Sequence, residues 1–346
     1  MSRAVGRTGQ SWLESVWYGR GRGGAWLRPL AWIFAAVTAL RRLCYRLGLV
    51  SSESVGRPVV VVGNLTVGGT GKTPLVIYIA THLQRQGYSV GVISRGYGGV
   101  DRDVRAVTAR SDPRAVGDEP VLIAKRTQAR VFVGHDRVAA ARTAVAAGVD
   151  VIVSDDGLQH YALARDLEIV VVDGERGFGN GQLLPAGPLR EPLRRLRRVG
   201  FVVVNGADWL TRVRLPPGRA ALTMTLLPGD ALALSGRGAL RSLASFRGQP
   251  VHAVAGIGNP QRFFGQLRAA GLEVLEHPLP DHHPLVLADL RFADDAPVLM
   301  TEKDAVKCAG LGDERLWYLP VSAHFNALEA TELLAAITAT IRQAPA

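Results

Sequence analysis

The residues best suited to chemistry in this chain lie in Val62-Gly63-Asn64-Leu65-Thr66-Val67-Gly68-Gly69-Thr70-Gly71-Lys72-Thr73-Pro74. Residues 59–62 are an unbroken valine run that reads as a buried strand, and a helix opens near Lys72. A strand, a glycine-rich turn and a helix in that order form a phosphate-binding loop. Glycines 68, 69 and 71 let the backbone curl so that successive N–H groups point inward, and the helix N-terminus adds the positive end of its dipole. Lys72 is placed to reach a β- or γ-phosphate, and the Thr73 hydroxyl to ligate Mg²⁺. The loop from Thr66 to Thr73 is therefore the expected ATP-binding segment. One position departs from G-x-x-x-x-G-K-[ST]: Thr66 stands where the pattern has its first glycine.

Five further stretches carry candidate groups. Val151-Ile-Val-Ser-Asp155-Asp156-Gly157-Leu158-Gln159-His160 is an apolar strand ending in two acids. An acid at such a strand end can hold Mg²⁺ against a P-loop threonine, although Asp-Asp-Gly is also a turn sequence. Gly117-Asp118-Glu119-Pro120 has two readings. The acids cap a helix with Pro120 in its first turn, or they serve as base and metal ligand for phosphoryl transfer to an alcohol. Leu184-Pro-Ala-Gly-Pro-Leu-Arg190-Glu-Pro192 offers one arginine to a phosphate. Pro280-Asp281-His282-His283 is either a capped loop or an Asp–His constellation, and the two cysteines, Cys44 and Cys308, give it no partner for a zinc site. Thr301-Glu302-Lys303-Asp304, running on to Lys307, either closes over a nucleotide or caps a helix. Two of only four lysines fall there in a chain with 41 basic residues.

Elements of alternating type must position these groups. Apolar strand candidates at 58–62, 89–93, 130–133, 150–154, 168–172 and 200–204 alternate with helical patterns such as 73–86 and 136–147. This is the signature of an α/β fold with a parallel sheet covered by helices on both faces, whose strand C-termini line one edge. The segment 206–248, rich in Pro and Gly, reads as a connection holding a small strand pair. A second, smaller α/β lobe follows at 249–346, with strands at 251–255, 272–275, 297–301 and 316–320, helix 260–270 and a terminal helix at 327–342. The expected division is thus residues 1–50, 51–205, 206–248 and 249–346. Residues 194–198, with arginines at 194, 195, 197 and 198, read as a basic helix face, solvated or set against anionic headgroups.

The net charge is +11, and residues 1–50 hold eight arginines against one acid, Glu14. Ser11 and Glu14 make a capping box that predicts a short helix starting there. Residues 25–49 then read as an amphipathic helix with interleaved Trp, Tyr and Arg. Its apolar run, residues 30–40, is too short to span a bilayer. Such a helix lies on a membrane surface or packs on its own domain. Nucleic-acid arms are poor in large aliphatics, so no nucleic-acid partner is expected.

In combination and in order, the P-loop stretch, Ser94-Arg-Gly-Tyr-Gly98, Gly117–Pro120, Asp155–His160, Leu184–Pro192 and Thr301–Asp304 resemble the tetraacyldisaccharide 4'-kinase family. The resemblance runs from about residue 12 to residue 340, and Thr66 agrees with how that family's loop reads. It implies a P-loop NTPase-like kinase that uses ATP and Mg²⁺ to phosphorylate the 4'-hydroxyl of a tetraacyldisaccharide 1-phosphate, giving lipid IVA. It also implies a peripheral enzyme on the cytoplasmic face of the bacterial inner membrane, docked through residues 25–49. Carried across, it makes Lys72 and Thr73 phosphate and metal contacts, and Asp118 a general base tuned by His282. Glu119, Asp155 and Asp156 become metal and water-network residues, and Gln159, Arg190 and Arg137 active-site contacts. A P-loop ATPase or GTPase switch, or a metallochaperone-type protein, is the alternative. It predicts nucleotide hydrolysis without an acceptor.

Overall fold

The computed structural model describes residues 5–19, 24–96, 103–207, 209–235, 238–308 and 311–343. Tyr97 and Gly98 of the Ser94–Gly98 motif therefore lie outside the described residues. The helices are α1 (Val5–Tyr18), α2 (Arg28–Arg46), α3 (Lys72–Arg85), α4 (Pro113–Val116), α5 (Asp118–Arg126), α6 (Arg137–Ala146), α7 (Pro260–Ala269), α8 (Glu302–Lys307) and α9 (Ala327–Gln343). The strands are β1 (Val59–Gly63), β2 (Val90–Ser94), β3 (Arg105–Val107), β4 (Arg130–Val133), β5 (Val151–Asp155), β6 (Leu167–Asp173), β7 (Phe201–Asn205) and β8 (Leu222–Pro228). They continue with β9 (Ala231–Ala233), β10 (Leu240–Arg241), β11 (Pro250–Ala255), β12 (Glu273–Pro278), β13 (Val298–Thr301), β14 (Leu316–Leu319) and β15 (Val321–His324).

The first sheet has the order β15-β8-β7-β6-β1-β5-β2-β4-β3. It is parallel from β8 to β4, with β15 and β3 antiparallel at its edges. The valine run of β1 explains the two-sided cover. Val60 and Val62 pack with Leu75 and Ile79 of α3 and with Leu333 and Ile337 of α9. Val59 and Val61 face the other way, onto Val138 and Ala141 of α6, Leu196 and Trp209. All four valines are at most 2% exposed. Successive strand side chains alternate faces, so a strand buried on both sides is apolar throughout. Each such burial stabilises the fold by roughly 1.5–3 kcal/mol.

Because these strands are parallel, their C-termini collect on one edge, and Asn64, Ser94, Asp155, Asp173 and Asn205 all sit there. The second sheet, β10-β9-β14-β13-β11-β12, is parallel from β14 to β12. The loops leaving β11 and β13 meet the first sheet's edge, so the two lobes face each other across a cleft.

Four details differ from the sequence reading. α1 begins at Val5 rather than Ser11. Residues 206–248 are not simply a connection. β8 extends the first sheet, and the expected small strand pair, β9–β10, joins the second. The chain then returns, since β15 pairs with β8 and α9 packs on the first sheet, so residues 321–343 belong with the P-loop lobe rather than with the 249–346 unit. Lastly, Leu193–Arg198 is a short 3-10 helix in which Arg194, Arg197 and Arg198 are exposed, as a basic face would be, but Arg195 is not. Arg195 is buried in it between Glu168 and Glu191, because its position turns inward onto two carboxylates.

The N-terminal helices rest lightly on the first lobe. Leu27 and Ala31 pack on Ala186 with Leu13, and Trp17 Nε1 donates to the Pro185 carbonyl at 2.9 Å. Among the described residues nothing covers the outer face of α2: Leu30, Trp32, Ile33, Val37, Leu40 and Leu43 are exposed, and Trp32 is 70% exposed. Among the described residues no helix is long and apolar enough to cross a membrane.

Candidate active site

The P-loop keeps its shape through contacts with three neighbouring segments. Gly68 and Gly71 have φ of 105° and 95°, where only glycine rests without strain. A Cβ on Gly71 would lie 2.5 Å from Asn205 Nδ2, the group that donates to the Thr70 carbonyl at 3.1 Å. Asn64 Nδ2 bridges the loop by donating to the Gly68 carbonyl at 3.1 Å. Thr66 needs no glycine conformation, because the chain there forms an extended bridge to Leu189. Val67 N donates to the Pro188 carbonyl at 2.9 Å, and Arg190 N to the Leu65 carbonyl at 2.7 Å. The loop of residues 184–192 is thus zipped to the entry of the P-loop. From the other lobe, the backbone of Gly258 abuts Gly69 so closely that a side chain at 258 would strike Gly69 N.

A cavity of about 160 Å³ lies in this cleft, walled by residues 69–74, by Ile77, Leu122, Leu226, Phe263 and Leu319, and by Asn259 and Arg262. It joins the backbone N–H groups of a helix N-terminus to an apolar slot, which suits a polyphosphate attached to a flat ring. Val67 and Gly68 do not line this cavity.

Lys72 Nζ is 3.5 Å from Asp156 Oδ1, and Arg190 Nη1 is 3.1 Å from Asp156 Oδ2. Burial alone would raise the Asp156 carboxyl, but these two cations outweigh it and hold the group well below the usual carboxylate range. Asp155 behaves in the opposite way. It is fully buried, and burial together with nearby Glu119 pushes it up to about 7, against the pull of Lys72. Its Oδ2 accepts from Ser94 Oγ at 3.3 Å, while its Oδ1 has no hydrogen-bond partner among the described residues. A buried carboxyl with an unpartnered oxygen and a raised proton affinity is a fit for a cation. Thr73 and Glu119 line the adjoining cavity, and among the described residues no group of three or more His, Cys, Asp or Glu side chains could hold a metal ion unaided, so a cation here would draw its remaining oxygens from substrate phosphates and water. Arg137 is 2% exposed and lies beneath this site, its Nη2 donating to the main-chain oxygen of Asp155 at 3.1 Å. It touches the strand end from below and lines neither cavity.

Asp118 and Glu119 open α5 and diverge. Asp118 Oδ2 faces His282 Nδ1 at 3.1 Å and Lys307 Nζ at 3.6 Å. Burial would raise its carboxyl, but the His282 hydrogen bond and the charges of Lys303 and Lys307 bring it down to about 2. His282 is raised in return: burial works against its charged form, and the bond to Asp118 prevails. His283 points elsewhere, to Asp289 at 3.0 Å, which separates the two histidines. Glu119 meets Lys303 Nζ at 3.0 Å, and Lys303 also reaches Asp281 at 3.3 Å. Thr301 caps α8, as the helix-cap reading expects, while Lys303 crosses to Glu119 of the first lobe. Among the described residues, Asp156 and His282 are the non-glycine positions with positive φ, 50° and 59°. Such conformations collect at functional sites.

A second cavity, of about 420 Å³, adjoins the first. Its walls are Asp155, Asp156, Gln159 and Arg190, with Ser94 and Arg95 of β2 and its exit, and Phe34, Thr38, Arg41 and Arg42 of α2. Glu119 lines both cavities, and Asp118 stands one residue behind it, 5% exposed. Gln159 donates to the Asn64 carbonyl at 3.3 Å and to Glu191 at 3.2 Å. The sequence reading gives no separate role to Glu191, Asn64 or Asn205, whereas it marks the segment that carries Lys303. The scarcity of lysine was a signal for Lys303. Glu191, 2% exposed, collects Tyr161, Gln159, Arg42 and Arg195 from three separate segments, which no local pattern reveals.

A sequence model of the family described as Tetraacyldisaccharide-1-P 4'-kinase (LpxK) matches residues 24–342. The chain belongs to this family. The tetraacyldisaccharide 4'-kinase of Methylobacillus flagellatus is 50% identical over 336 residues, covering 96% of this chain and 98% of that one. That of Alkalilimnicola ehrlichii is 54% identical over 298 residues, covering 86% and 87%. Among solved structures, LpxK from Aquifex aeolicus, crystallised in complex with ATP, superposes with a TM-score of 0.75 at 27% identity, covering 92% of this chain and 99% of that one. The α/β fold of the LpxK family therefore extends over nearly the whole chain, and the phosphate-binding loop, the paired acids and the cross-lobe His282 contact all lie within the matched span.

Proposed function

We propose that this LpxK-family chain is an ATP-dependent lipid kinase that transfers the γ-phosphate of ATP to the 4'-hydroxyl of a tetraacyldisaccharide 1-phosphate, giving lipid IVA. The observation that carries this reading, beside the family, is that Glu119 forms part of the wall between two cavities. One offers P-loop N–H groups and an apolar slot. The other is polar and opens beneath the amphipathic helix α2. A donor nucleotide on one side and a sugar hydroxyl on the other would meet at the carboxylates.

In this reading the N–H groups of residues 69–73 cradle the phosphates, Thr66, Val67 and Gly68 shape the entry to the loop, and Lys72 follows the charge that develops on the transferred group. Arg190, held by Asp156, faces the same charge from the acceptor side. Thr73, Asp155, Asp156 and Glu119 would hold Mg²⁺ and its water, and the bound ion would supply positive charge against the developing phosphoryl charge. Asp118 accepts the hydroxyl proton late in transfer. Its carboxylate is ionised at neutral pH, and His282 orients it and sets its basicity. Gln159, fixed between Glu191 and the P-loop backbone, orders the acceptor pocket, and Arg137 keeps the Asp155 strand end in place. The uncovered face of α2 lies on the inner membrane at its cytoplasmic surface, so the acyl chains stay in lipid while the sugar enters the pocket.

The test is transfer of ³²P from γ-labelled ATP to a tetraacyldisaccharide 1-phosphate in detergent micelles, with wild type and Asp118→Ala side by side. The expected result is labelled lipid from wild type and a loss of 10²–10⁴-fold in the variant. Equal transfer by both would remove Asp118 from the mechanism.

A further inference from the structure

A third cavity lies outside the kinase site. It occupies about 440 Å³ between α2 and the 3-10 helix Leu193–Arg198. Arg42 and Arg46 enter it from α2, and Arg194, Arg195, Arg197 and Arg198 from the other wall. Two of these charges are matched from beneath: Arg42 by Glu191, and Arg195 by Glu168 and Glu191. Arg46, Arg194, Arg197 and Arg198 are exposed, and no acid is in ion-pair contact with them among the described residues. Four facing guanidinium groups repel one another unless an anion sits among them. Their planar, multiple N–H donors match phosphate oxygens.

The groove's remaining walls, Ala39 and Leu43, are apolar. Leu43 is 48% exposed and is continuous with the uncovered face of α2, through Leu40 and Leu47. A ligand here therefore presents an anionic head to the arginines at the level where apolar side chains leave the protein. We infer that this groove is a second lipid site, separate from the acceptor pocket, that takes the phosphate headgroup of an anionic glycerophospholipid in the bilayer. Arg42 stands in the wall of both cavities, so an occupied groove would steady α2 beside the acceptor pocket. The inference rests on the proposed reading of the chain as a kinase that works at a lipid surface.

The experiment is vesicle flotation of the full chain, with neutral phosphatidylcholine vesicles and with vesicles in which part of that lipid is replaced by phosphatidylglycerol. Three proteins are compared: wild type, R194Q/R197Q/R198Q, and a control, R110Q/R114Q, which alters exposed arginines of the segment following β3. Wild type should gain affinity on the anionic vesicles. Each arginine near such a surface contributes about fivefold, so the triple variant should lose about a hundredfold there and bind neutral vesicles as wild type does. The control should keep the gain. An unchanged gain in the triple variant, or an equal loss in the control, would overturn the groove. Release from anionic vesicles by inorganic phosphate, but not by chloride of matched ionic strength, would show a soluble phosphate site and overturn the lipid assignment. Failure of wild type to bind neutral vesicles, with the anionic gain still dependent on the three arginines, would refute α2 as the membrane face and leave the groove standing.

Discussion

Replacing His282 with asparagine should lower kcat/KM for phosphoryl transfer by about thirtyfold and remove the acid limb of its pH profile. His282 Nδ1 lies 3.1 Å from Asp118 Oδ2, with side-chain exposures of 21% and 5%. A hydrogen bond to a charged partner contributes ~1.5–3 kcal/mol, and this one is largely shielded from solvent, so ~2 kcal/mol is the working value. At ~1.4 kcal/mol per factor of ten, that is about thirtyfold if the bond orients the base in the transition state. The pH dependence follows from the two shifts. Asp118, held at about 2, is ionised throughout the neutral range and gives no limb there. His282 is raised above its ordinary 6.5, and while it carries a proton it weakens Asp118 as a base. Activity should therefore rise with pH through a midpoint above 6.5. The stability signs are opposite for the two groups. The Asp118 contribution is present above its ordinary 3.8 and lost as pH falls toward 2. The His282 contribution is present below 6.5 and lost as pH rises through the raised value. The pair thus contributes most between those ordinary values. The assay is initial-rate transfer across pH, with denaturant midpoints measured in the same buffers. An H282N enzyme with wild-type rates and an unchanged acid limb would refute this coupling.

Three other outcomes are expected. Glu119→Gln should raise the Mg²⁺ concentration needed for half-maximal rate by about tenfold or more while leaving acceptor KM near wild type, measured by Mg²⁺ titration of the transfer assay. Gly71→Ala should weaken ATP binding by at least tenfold in calorimetric titration, because its φ of 95° and the nearby Asn205 amide leave no room for a methyl group. Glu191→Gln should cost about 3 kcal/mol in urea denaturation, since it leaves the half-buried Arg42 and the buried Arg195 short of a counter-charge.

The sequence disclosed what local patterns encode. The valines of β1, the glycines and Lys72 of the P-loop, and the acids ending β5 follow one another along the chain, so the strand–turn–helix and its chemistry could be read directly. The parallel sheet followed from alternating periodicity. Contacts that depend on return paths were not legible. β15 and α9 come back to the first sheet after the second lobe has formed, and nothing within residues 321–343 marks that destination. Arg195 looks like its neighbours in a run of arginines, yet a single turn aims it at Glu168 and Glu191. The choice between His282 and His283 was likewise set by a contact 164 residues away.

The most direct measurement is the structure of the product. Wild-type enzyme incubated with ATP, Mg²⁺ and a tetraacyldisaccharide 1-phosphate should yield a lipid heavier by one phosphate. Phosphorus–proton correlation should place that phosphate on the 4'-oxygen, with one ADP formed per lipid converted. ATP consumed at the same rate with and without the lipid, and the lipid recovered unaltered, would contradict the account and leave a nucleotide hydrolase in its place.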